Sequence, residues 1–519
     1  MFILKYSMKY ISIKKLICLI LFSLPVFYPA IKSYSFPLDL KNCENTLYLL
    51  QHLHHVLPCA GKILPSHTSQ LNYLGEEKTD QYTQYRYGFV SLIWPKIFQA
   101  GIHDIIIPHA WKHEVDIFIP KENSNVDTAA LYITGGYIHS KITRNNAPDK
   151  IISQLIQRNI VVVLKDDPNQ YLTINDKQLK EDEIIAFTWN RFIHNPKLAY
   201  YPLHIPMAIA AQQAMTLAQN ILLEHHISIN YFVVIGASKR GWAAWMTAFL
   251  DHRVIAMIPI VVDVLNLKKQ IPHIYKVYAQ HWPIALKNYY QQHIPEYANP
   301  KSPFFKNYLK LLQIEDPFTY FTDTAYQKKL SEMSKYIINA SGDDFFPPDS
   351  SQYYYQALSG KKLLFYLPNS PHYVEYSPSI SQLASTLSAF YKRIISHQML
   401  PIITWDRKTT GELKIHYSEK PEKIIVWSAN NPLTRDFRYS CAIHYQPTDI
   451  IVNEQESKLI IPNVKQGWLA SYVELDFPDG LRASTPISIS PDAYPKKSQI
   501  MPPQGMCLLI THEHKNIAE

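Results

Sequence analysis

Apolar runs alternate with stretches of helical periodicity between about residues 85 and 265. Short apolar runs bounded by Gly, Asn or Asp predict strands at residues 113–120, 129–137, 159–166, 231–236 and 254–263. Helical spacing lies between and after them, at residues 149–158, 201–222 and 239–250. Strands that alternate with helices in this way form sheets covered on both faces, so the pattern predicts an α/β fold with a mostly parallel sheet.

The pattern changes twice in the rest of the chain. Residues 266–330 are rich in Tyr, Lys and Pro, and we predict that they form a helical insertion that covers a site or serves as scaffold. The α/β pattern then resumes, with strands at 331–344 and 361–372 and helices at 350–358 and 377–397. From residue 401 to 500, short strands broken by Pro, Gly and Asn predict a small all-β sandwich domain, followed by a tail at 501–519. The α/β domain would therefore span residues 36–400.

The first 35 residues have the pattern of an export signal. Four lysines precede an apolar core of 13 residues at 16–28, which is shorter than the roughly 20 residues of a membrane span. Small residues follow, and we predict cleavage near Ser33-Tyr34-Ser35. We therefore expect a signal peptide at residues 1–35 and an exported, periplasmic or secreted protein with no stable membrane span after cleavage. An uncleaved membrane anchor is the alternative.

Charge and motifs argue against several classes of function. The formal net charge of +8 falls to +3 without the five lysines of residues 1–35, which is too weak to indicate nucleic-acid binding. The chain contains neither H-E-x-x-H nor G-x-x-x-x-G-K, so we expect no metal, nucleotide or other cofactor. A small molecule or an envelope component is then the expected substrate.

The cysteines indicate an oxidising compartment. Cys18 lies in the predicted signal, and Cys43, Cys59, Cys441 and Cys507 remain. Four cysteines in an exported chain fit two disulfides, for which three pairings exist. Proximity in sequence favours Cys43–Cys59 and Cys441–Cys507 without deciding between the pairings, and four buried thiols are the alternative.

A serine stands where a predicted strand passes into a helix, in the stretch "YFVVIGASKRGWAAW" at residues 231–245. In hydrolases such a sharp turn holds a nucleophilic oxygen above the sheet, and small neighbours let strand and helix approach closely. Gly236 and Gly241 flank Ser238, which gives G-x-S-x-x-G instead of the usual G-x-S-x-G. We predict that Ser238 is a nucleophile and that the N–H of Lys239 stabilises an oxyanion. A serine that only caps the helix is the alternative.

The partners of this serine are predicted from chain order. An α/β-hydrolase triad runs Ser, acid, His, and each member stands at the end of a strand. Asp343 follows the predicted strand that begins at residue 331, and His372 follows the next strand, the last of the sheet. We therefore predict Asp343 as the acid and His372 as the base. Asp344 and Asp263 are alternative acids, and His139 is an alternative base.

Further residues are expected around the serine. Gly136 follows a predicted buried strand, and its N–H or that of Tyr137 would be the second oxyanion donor, although a plain turn is the alternative. Asn169 and Gln170 follow another strand end and are possible substrate contacts.

Two pairs of residues have open interpretations. The side chains of Lys239 and Arg240 either stabilise charge in the site or are surface charges, and the surface is favoured for Arg240. Trp189 and Asn190 either line the cleft or pack in the core.

At these residues the chain resembles a known family, the PhoPQ-activated pathogenicity-related proteins, which include the autocrine proliferation repressor proteins. The stretches that carry the resemblance are "PNQYL", "EDEIIAFTWNRF", "YPLHIPMAIAAQQAM", "GASKRGWAAW", "IPIVVDVLN", "SGDDFFPPDSSQYYY", "YLPNSPHY", "WSANNPLTRDFR" and "GWLASYVELDF". The turn at Ser238 is also similar to the G-x-S-x-x-G of glucuronoyl esterases. Tyr171 and Tyr373 depart from the small residue or proline expected at their positions, and Tyr373 would narrow the site.

The resemblance implies an exported protein with an α/β-hydrolase-like domain and a C-terminal β domain, and it implies no particular reaction. Together with the residues above, it leads us to expect a serine hydrolase, an esterase rather than a peptidase, that acts on an envelope or host component. A hydrolase fold that binds or signals without turnover is the alternative.

Overall fold

The computed structural model describes residues 39–65, 71–95, 109–122, 127–137, 148–174, 177–408, 411–461, 464, 466–496 and 505–510. The predicted signal peptide with its cleavage site and the alternative base His139 lie outside the described residues, as does most of the predicted tail. The predicted domain boundaries stay predictions.

The chain contributes strands and helices in the following order. The strands are β1 (Asn72–Lys78), β2 (Tyr82–Trp94), β3 (His109–Pro120), β4 (Thr128–Ile133), β5 (Val161–Leu164), β6 (Leu172–Ile174), β7 (Lys177–Leu179), β8 (Tyr231–Ala237), β9 (Val254–Ile260), β10 (Trp282–Pro283), β11 (Ser334–Ala340), β12 (Lys362–Leu367), β13 (Ile403–Arg407), β14 (Glu412–Tyr417), β15 (Lys423–Asn431), β16 (Gln446–Ile450), β17 (Glu456–Ile460), β18 (Trp468–Asp476), β19 (Arg482–Ser484), β20 (Ser488–Ser490) and β21 (Leu509–Ile510). The helices are α1 (Leu40–Glu44), α2 (Thr46–Gln51), α3 (Val56–Ile63), α4 (Lys150–Leu155), α5 (Glu181–His194), α6 (His204–Glu224), α7 (Lys239–Leu250), α8 (Leu267–Val277), α9 (Lys287–Gln291), α10 (Ile294–Tyr297), α11 (Phe305–Glu315), α12 (Pro317–Tyr320), α13 (Thr324–Glu332) and α14 (Ile380–Ile395).

The centre of the fold is a sheet of nine strands in the order β1-β2-β3-β5-β4-β8-β9-β11-β12. The strands from β5 to β12 in this order are parallel, and β1, β2 and β3 are antiparallel. Helices α4 and α14 pack against side chains of one face, such as Val163 and Ile235, whereas α6 and α7 contact the central strands from the other side. This is the α/β-hydrolase fold, which confirms the predicted fold class.

Several local features differ from the sequence pattern, among them helix α5, which was not predicted. Strands β1 and β2 were not predicted, because β1 is largely exposed and β2 carries polar residues among its aromatic ones. The helix predicted at 350–358 is wrong, because this segment forms two short 3₁₀ turns, Ser350–Tyr353 and Tyr355–Ala357. Between them Tyr354 leaves helical geometry, and its hydroxyl donates to Asp263 at 2.8 Å.

The C-terminal region consists of antiparallel sheets, as predicted. One has the order β13-β14-β17, and the other has the order β16-β15-β18-β19 with β20 beside β18. Apolar side chains of both, such as Ile415 and Val473, belong to the same buried cluster as residues of the central sheet. The hydroxyl of Tyr336 on β11 also donates to the carbonyl of Arg482 at 2.6 Å. The β region is therefore packed directly against the α/β region.

The predicted insertion comprises α8 to α13 and the short strand β10. Strand β10 pairs with β21, so the chain's C-terminal segment meets the insertion. Disulfides join Cys43 to Cys59 and Cys441 to Cys507, and the second one fastens that segment to the β region. In the part of the chain that the structure describes, no helix combines the length and apolar character needed to cross a bilayer.

Candidate active site

Ser238 lies on a strained turn between β8 and α7, with φ of +55° and ψ of −128°. Its N–H donates to the carbonyl of Ile260 at 2.8 Å, which ties the turn to strand β9. The turn tolerates no side chain at Gly236, because a Cβ there would lie 2.3 Å from the carbonyl oxygen of Arg240. The Ser238 side chain makes no capping bond to α7, so the alternative of a serine that only caps the helix is not supported.

The three predicted triad side chains form one hydrogen-bonded chain. Ser238 Oγ lies 2.8 Å from His372 Nε2, and His372 Nδ1 lies 2.9 Å from Asp343 Oδ2. Because an ionised carboxylate only accepts, Nδ1 carries a proton toward Asp343, which leaves Nε2 of a neutral imidazole to accept the serine proton. The arrangement has the polarity that activates a serine hydroxyl.

Asp343 is the candidate acid whose carboxylate contacts the imidazole of His372. Its Oδ1 accepts the N–H groups of Phe345 and Phe346 at 2.8 and 3.2 Å, which fixes the carboxylate beneath His372. Asp344, the first alternative, reaches only the main-chain N–H of His372, at 3.4 Å.

Asp263, the second alternative acid, is engaged elsewhere. Its two carboxylate oxygens accept the hydroxyls of Tyr354 and Tyr366, at 2.8 and 2.6 Å. Burial raises the pKa of Asp263 to about 8, although both tyrosine hydrogen bonds lower it. It is therefore a buried structural group in this fold.

The predicted oxyanion donors lie at one edge of the sheet. Strands β4 and β8 are parallel with Ile133 opposite Gly236, so the loop after β4 lies beside the turn at Ser238. Gly136 has φ of +150°, and a Cβ there would lie 2.2 Å from Asp166 Oδ1. The carbonyl of Gly136 accepts a hydrogen bond from Gln170 Nε2 at 2.8 Å. The N–H of Tyr137 belongs to the same trans peptide group and points to the side opposite that carbonyl.

The cations next to Ser238 are held by acidic residues at the start of α5. Lys239 Nζ lies 2.9 Å from Glu181 Oε2, and Arg240 Nη2 donates to Glu181 Oε1 at 2.7 Å. Arg240 Nε also donates to the carbonyl of Asp167 at 2.7 Å. Burial would raise the pKa of Glu181, but Lys239 and Arg240 outweigh it and hold this pKa well below its ordinary value. The interpretation of Arg240 as a surface charge is wrong, because only 14% of its side chain is exposed.

Asn169 and Gln170 have contacts that differ from the prediction. Both are fully buried, and Asn169 bonds the backbone of Lys112. Gln170 bonds the Gly136 carbonyl and both the main chain and the carboxylate of Glu181. The side chains of both residues are thus used to position loops around the site, and a substrate contact by either residue stays a prediction.

A largely apolar pocket opens beside Ser238. Its base includes Val261, Val262, Trp242, Phe345 and Phe346. Residues of the insertion cover it, among them Leu267, Ile271, Ile274, Trp282, Leu286 and Tyr289. The insertion therefore covers the site, which favours that interpretation over plain scaffold.

Tyr373, which we expected to narrow the site, lies beside His372, and 47% of its surface is exposed.

Sequence reasoning missed a buried polar pair at this pocket. Trp189 lines the pocket, as one of its two interpretations held, and its Nε1 donates to Glu315 Oε2 at 3.0 Å. The same carboxylate oxygen lies 2.5 Å from His204 Nδ1. Residues 204 and 315 are far apart in sequence and belong to no motif, so only an unusual histidine at the start of an apolar helix signalled this site. Asn190 instead bonds the insertion, through the carbonyl of Gln292 at 3.0 Å.

Potential metal ligands are grouped at one place among the described residues, at Asp436, Cys441 and Cys507. Both sulfurs of this group belong to the disulfide described above, so they are not available as thiolate ligands.

Comparisons with known proteins agree with this architecture. A family model described as "PhoPQ-activated pathogenicity-related protein" matches residues 63–438. The chain is 29% identical over 392 residues to autocrine proliferation repressor protein A of Dictyostelium discoideum, a match that covers 71% of this chain and 76% of that protein.

Solved structures with a similar fold are distant in sequence. Acetyl xylan esterase 1 from Thermoanaerobacterium sp. JW/SL YS485 has a TM-score of 0.41 and 13% identity, over 67% of this chain and 97% of that chain. The rice cell wall degrading esterase LipA from Xanthomonas oryzae has a TM-score of 0.35 and 12% identity, over 64% of this chain and 99% of that chain. These likenesses concern the fold alone.

Proposed function

The chain belongs to the PhoPQ-activated pathogenicity-related protein family, and we propose that it is an exported serine hydrolase that transfers the acyl group of an ester to water. The observation that carries the proposal is the hydrogen-bonded chain Ser238–His372–Asp343. A fold kept only for binding has no physical need of a serine at a strained φ whose hydroxyl contacts a carboxylate-oriented imidazole.

In the first half of the reaction, His372 Nε2 takes the Ser238 proton while Oγ attacks the ester carbonyl carbon. The N–H groups of Lys239 and of Gly136 or Tyr137 would stabilise the resulting oxyanion. Asp343 stabilises the imidazolium, which then protonates the leaving alkoxide oxygen as the C–O bond breaks.

In the second half, a water molecule loses a proton to His372 and attacks the acyl carbon. The tetrahedral intermediate collapses with release of the carboxylic acid, and the imidazolium returns its proton to Ser238 Oγ. The chain's own residues supply every proton transfer in this cycle.

An ester suits the pocket better than a peptide. The pocket beside Ser238 is lined almost entirely by apolar side chains, whereas an extended peptide requires a row of main-chain donors and acceptors. Two disulfides support an exported, periplasmic or secreted protein, because such bonds persist in oxidising compartments. An envelope or host component is the proposed source of the ester.

The test is covalent labelling with a fluorophosphonate followed by intact-mass measurement. We expect one adduct on the native protein, none on Ser238→Ala, and an unchanged adduct on Ser396→Ala, an exposed serine in α14's C-terminal turn. A folded protein that forms no adduct would overturn the proposal in favour of a binding or signalling role.

A further inference from the structure

The largely apolar lining of the pocket beside Ser238 includes His204, whose Nε2 has no hydrogen-bond partner among the described residues. Other polar groups of the lining are paired: Lys239 and Tyr289 both contact the Asp182 carboxylate, and the indole N–H groups of Trp189 and Trp242 both donate to Glu315. His204 stacks on the Trp242 indole at 4.8 Å between ring centroids, and Trp242 lies one turn along α7 from Ser238. An occupant of the pocket therefore meets aromatic side chains and the imidazole of His204.

The hydrogen bonds around His204 define what its free edge offers. Glu315 Oε2 accepts from Trp189 Nε1–H, so it is an acceptor, and the proton between it and His204 belongs to Nδ1. The Glu315 main-chain carbonyl accepts from Trp242 Nε1 at 2.6 Å, which fixes the carboxylate's position. His204 Nε2 is then an acceptor in the neutral ring and a donor in the imidazolium.

His204 Nε2 is buried without a hydrogen-bond partner in the described part of the chain. The residue is 1% exposed, and Glu315 is 0% exposed with its Oε1 also unsatisfied. A buried polar atom without a partner is destabilising, so a ligand that supplies the missing partner binds more tightly than one that does not. A hydroxyl is the group that pairs with Nε2 in either protonation state, because it both donates and accepts.

We propose that this pocket selects esters whose apolar, ring-bearing or aliphatic moiety carries a single hydroxyl that bonds His204 Nε2. This inference rests on the proposed function, and it names the substrate class of that site. A sugar is disfavoured here, since its several hydroxyls would be buried against Trp, Val, Leu and Ile side chains without partners. His204 is then a specificity-determining residue of the reaction.

The experiment compares kcat/KM for methyl phenylpropanoate, its ortho-, meta- and para-hydroxy derivatives and a peracetylated xylose. We expect the wild-type protein to prefer one hydroxy isomer over the parent by about 10- to 100-fold, because a site built to bond a hydroxyl rejects the analogue that lacks it. Equal values for parent and hydroxy isomers, or a preference for the acetylated sugar, would overturn the inference.

Two variants sharpen the comparison. In His204→Phe, which preserves the stacking on Trp242, we expect the hydroxyl preference to disappear, so that kcat/KM for the preferred hydroxy isomer falls to the value for the parent ester in the same variant. A fall in kcat/KM by the same factor for all of the esters, in a folded His204→Phe protein, would contradict the inference. Glu315→Gln retains an acceptor for Trp189, so we expect it to keep part of the preference.

A binding measurement separates this inference from the chemistry. Ser238→Ala cannot turn the esters over, and the tryptophans of the pocket report occupancy through their fluorescence. If the wild-type protein forms no fluorophosphonate adduct and hydrolyses none of the esters, the proposed function fails. The binding data alone then test the inference about His204. Tighter binding of one hydroxy isomer than of the parent then supports the inference, and equal binding overturns it.

Discussion

The side-chain amide of Gln170 donates to the main-chain carbonyl of Gly136 at 2.8 Å. The same side chain contacts Glu181, which in turn holds Lys239 and Arg240 beside Ser238. Gln170 therefore links the loop that carries one proposed oxyanion donor to the turn that carries the other. This relation joins parts of the site that are remote in sequence.

Gln170→Leu tests that link. We expect kcat to fall about 10-fold or more with little change in KM, because a misplaced oxyanion donor weakens binding of the transition state rather than of the ester. Steady-state kinetics on a short-chain ester measure both constants. Gln178→Leu, an exposed position on β7, is the control and should be neutral. A rise in KM at constant kcat for Gln170→Leu would instead indicate a substrate contact.

Asp343→Asn and Asp344→Asn form a matched pair of neighbouring carboxylates. We expect Asp343→Asn to lower kcat by about 10⁴-fold, because the imidazolium loses its stabilising charge and the ring loses its tautomer. Asp344 bonds the His372 main-chain N–H, and its amide variant still accepts that bond, so its kcat should fall less than about 10-fold. Equal losses in the two variants would contradict the assignment of Asp343.

The local sequence pattern was enough to predict those site residues that stand at the ends of strands. The turn at Ser238 could be predicted because one short segment holds the apolar strand, the glycines and the helix. The positions of Asp343 and His372 followed from the order of the last two strands of the sheet, which the structure brings to one edge.

The long-range contacts could not be predicted in the same way. Arg240 meets Glu181 across 59 positions, and His204 meets Glu315 across 111 positions, and no local pattern marks either pair. Charged residues in short loops look exposed in sequence, which explains the wrong interpretation of Arg240. The structural bonds of Gln170 could not be predicted for a related reason, since a strand-end amide is compatible with substrate contact and with structural bonding equally well.

Asp263→Asn tests the stability cost of the buried carboxyl. Burial raises its folded-state pKa to about 8, above the unfolded value near 4, so between these pH values the folded state binds the extra proton. The wild-type free energy of unfolding should therefore fall as pH rises from 5 to 8, by about 1 kcal/mol per unit relative to the variant. Urea unfolding of both proteins at several pH values measures the difference. A difference that stays constant with pH would contradict a neutral Asp263.

The Cys441–Cys507 disulfide gives the last prediction. It fastens the segment whose strand β21 pairs with β10, and β10 includes Trp282 of the pocket cover. In the double serine variant we expect KM for esters that fill the pocket to rise several-fold, with little change for an acetate ester, because the cover loses its anchored edge.

The double variant of Cys43 and Cys59 is its control. That disulfide joins α1 to α3 in a fully buried position, and neither cysteine belongs to the pocket lining as the described residues define it. Its removal should lower the free energy of unfolding by about 2–4 kcal/mol, as loss of a disulfide commonly does, without a change in KM. Equal KM values in all three proteins would show that the C-terminal segment does not support the pocket. A change in KM for the control alone would assign that support to the N-terminal helices instead.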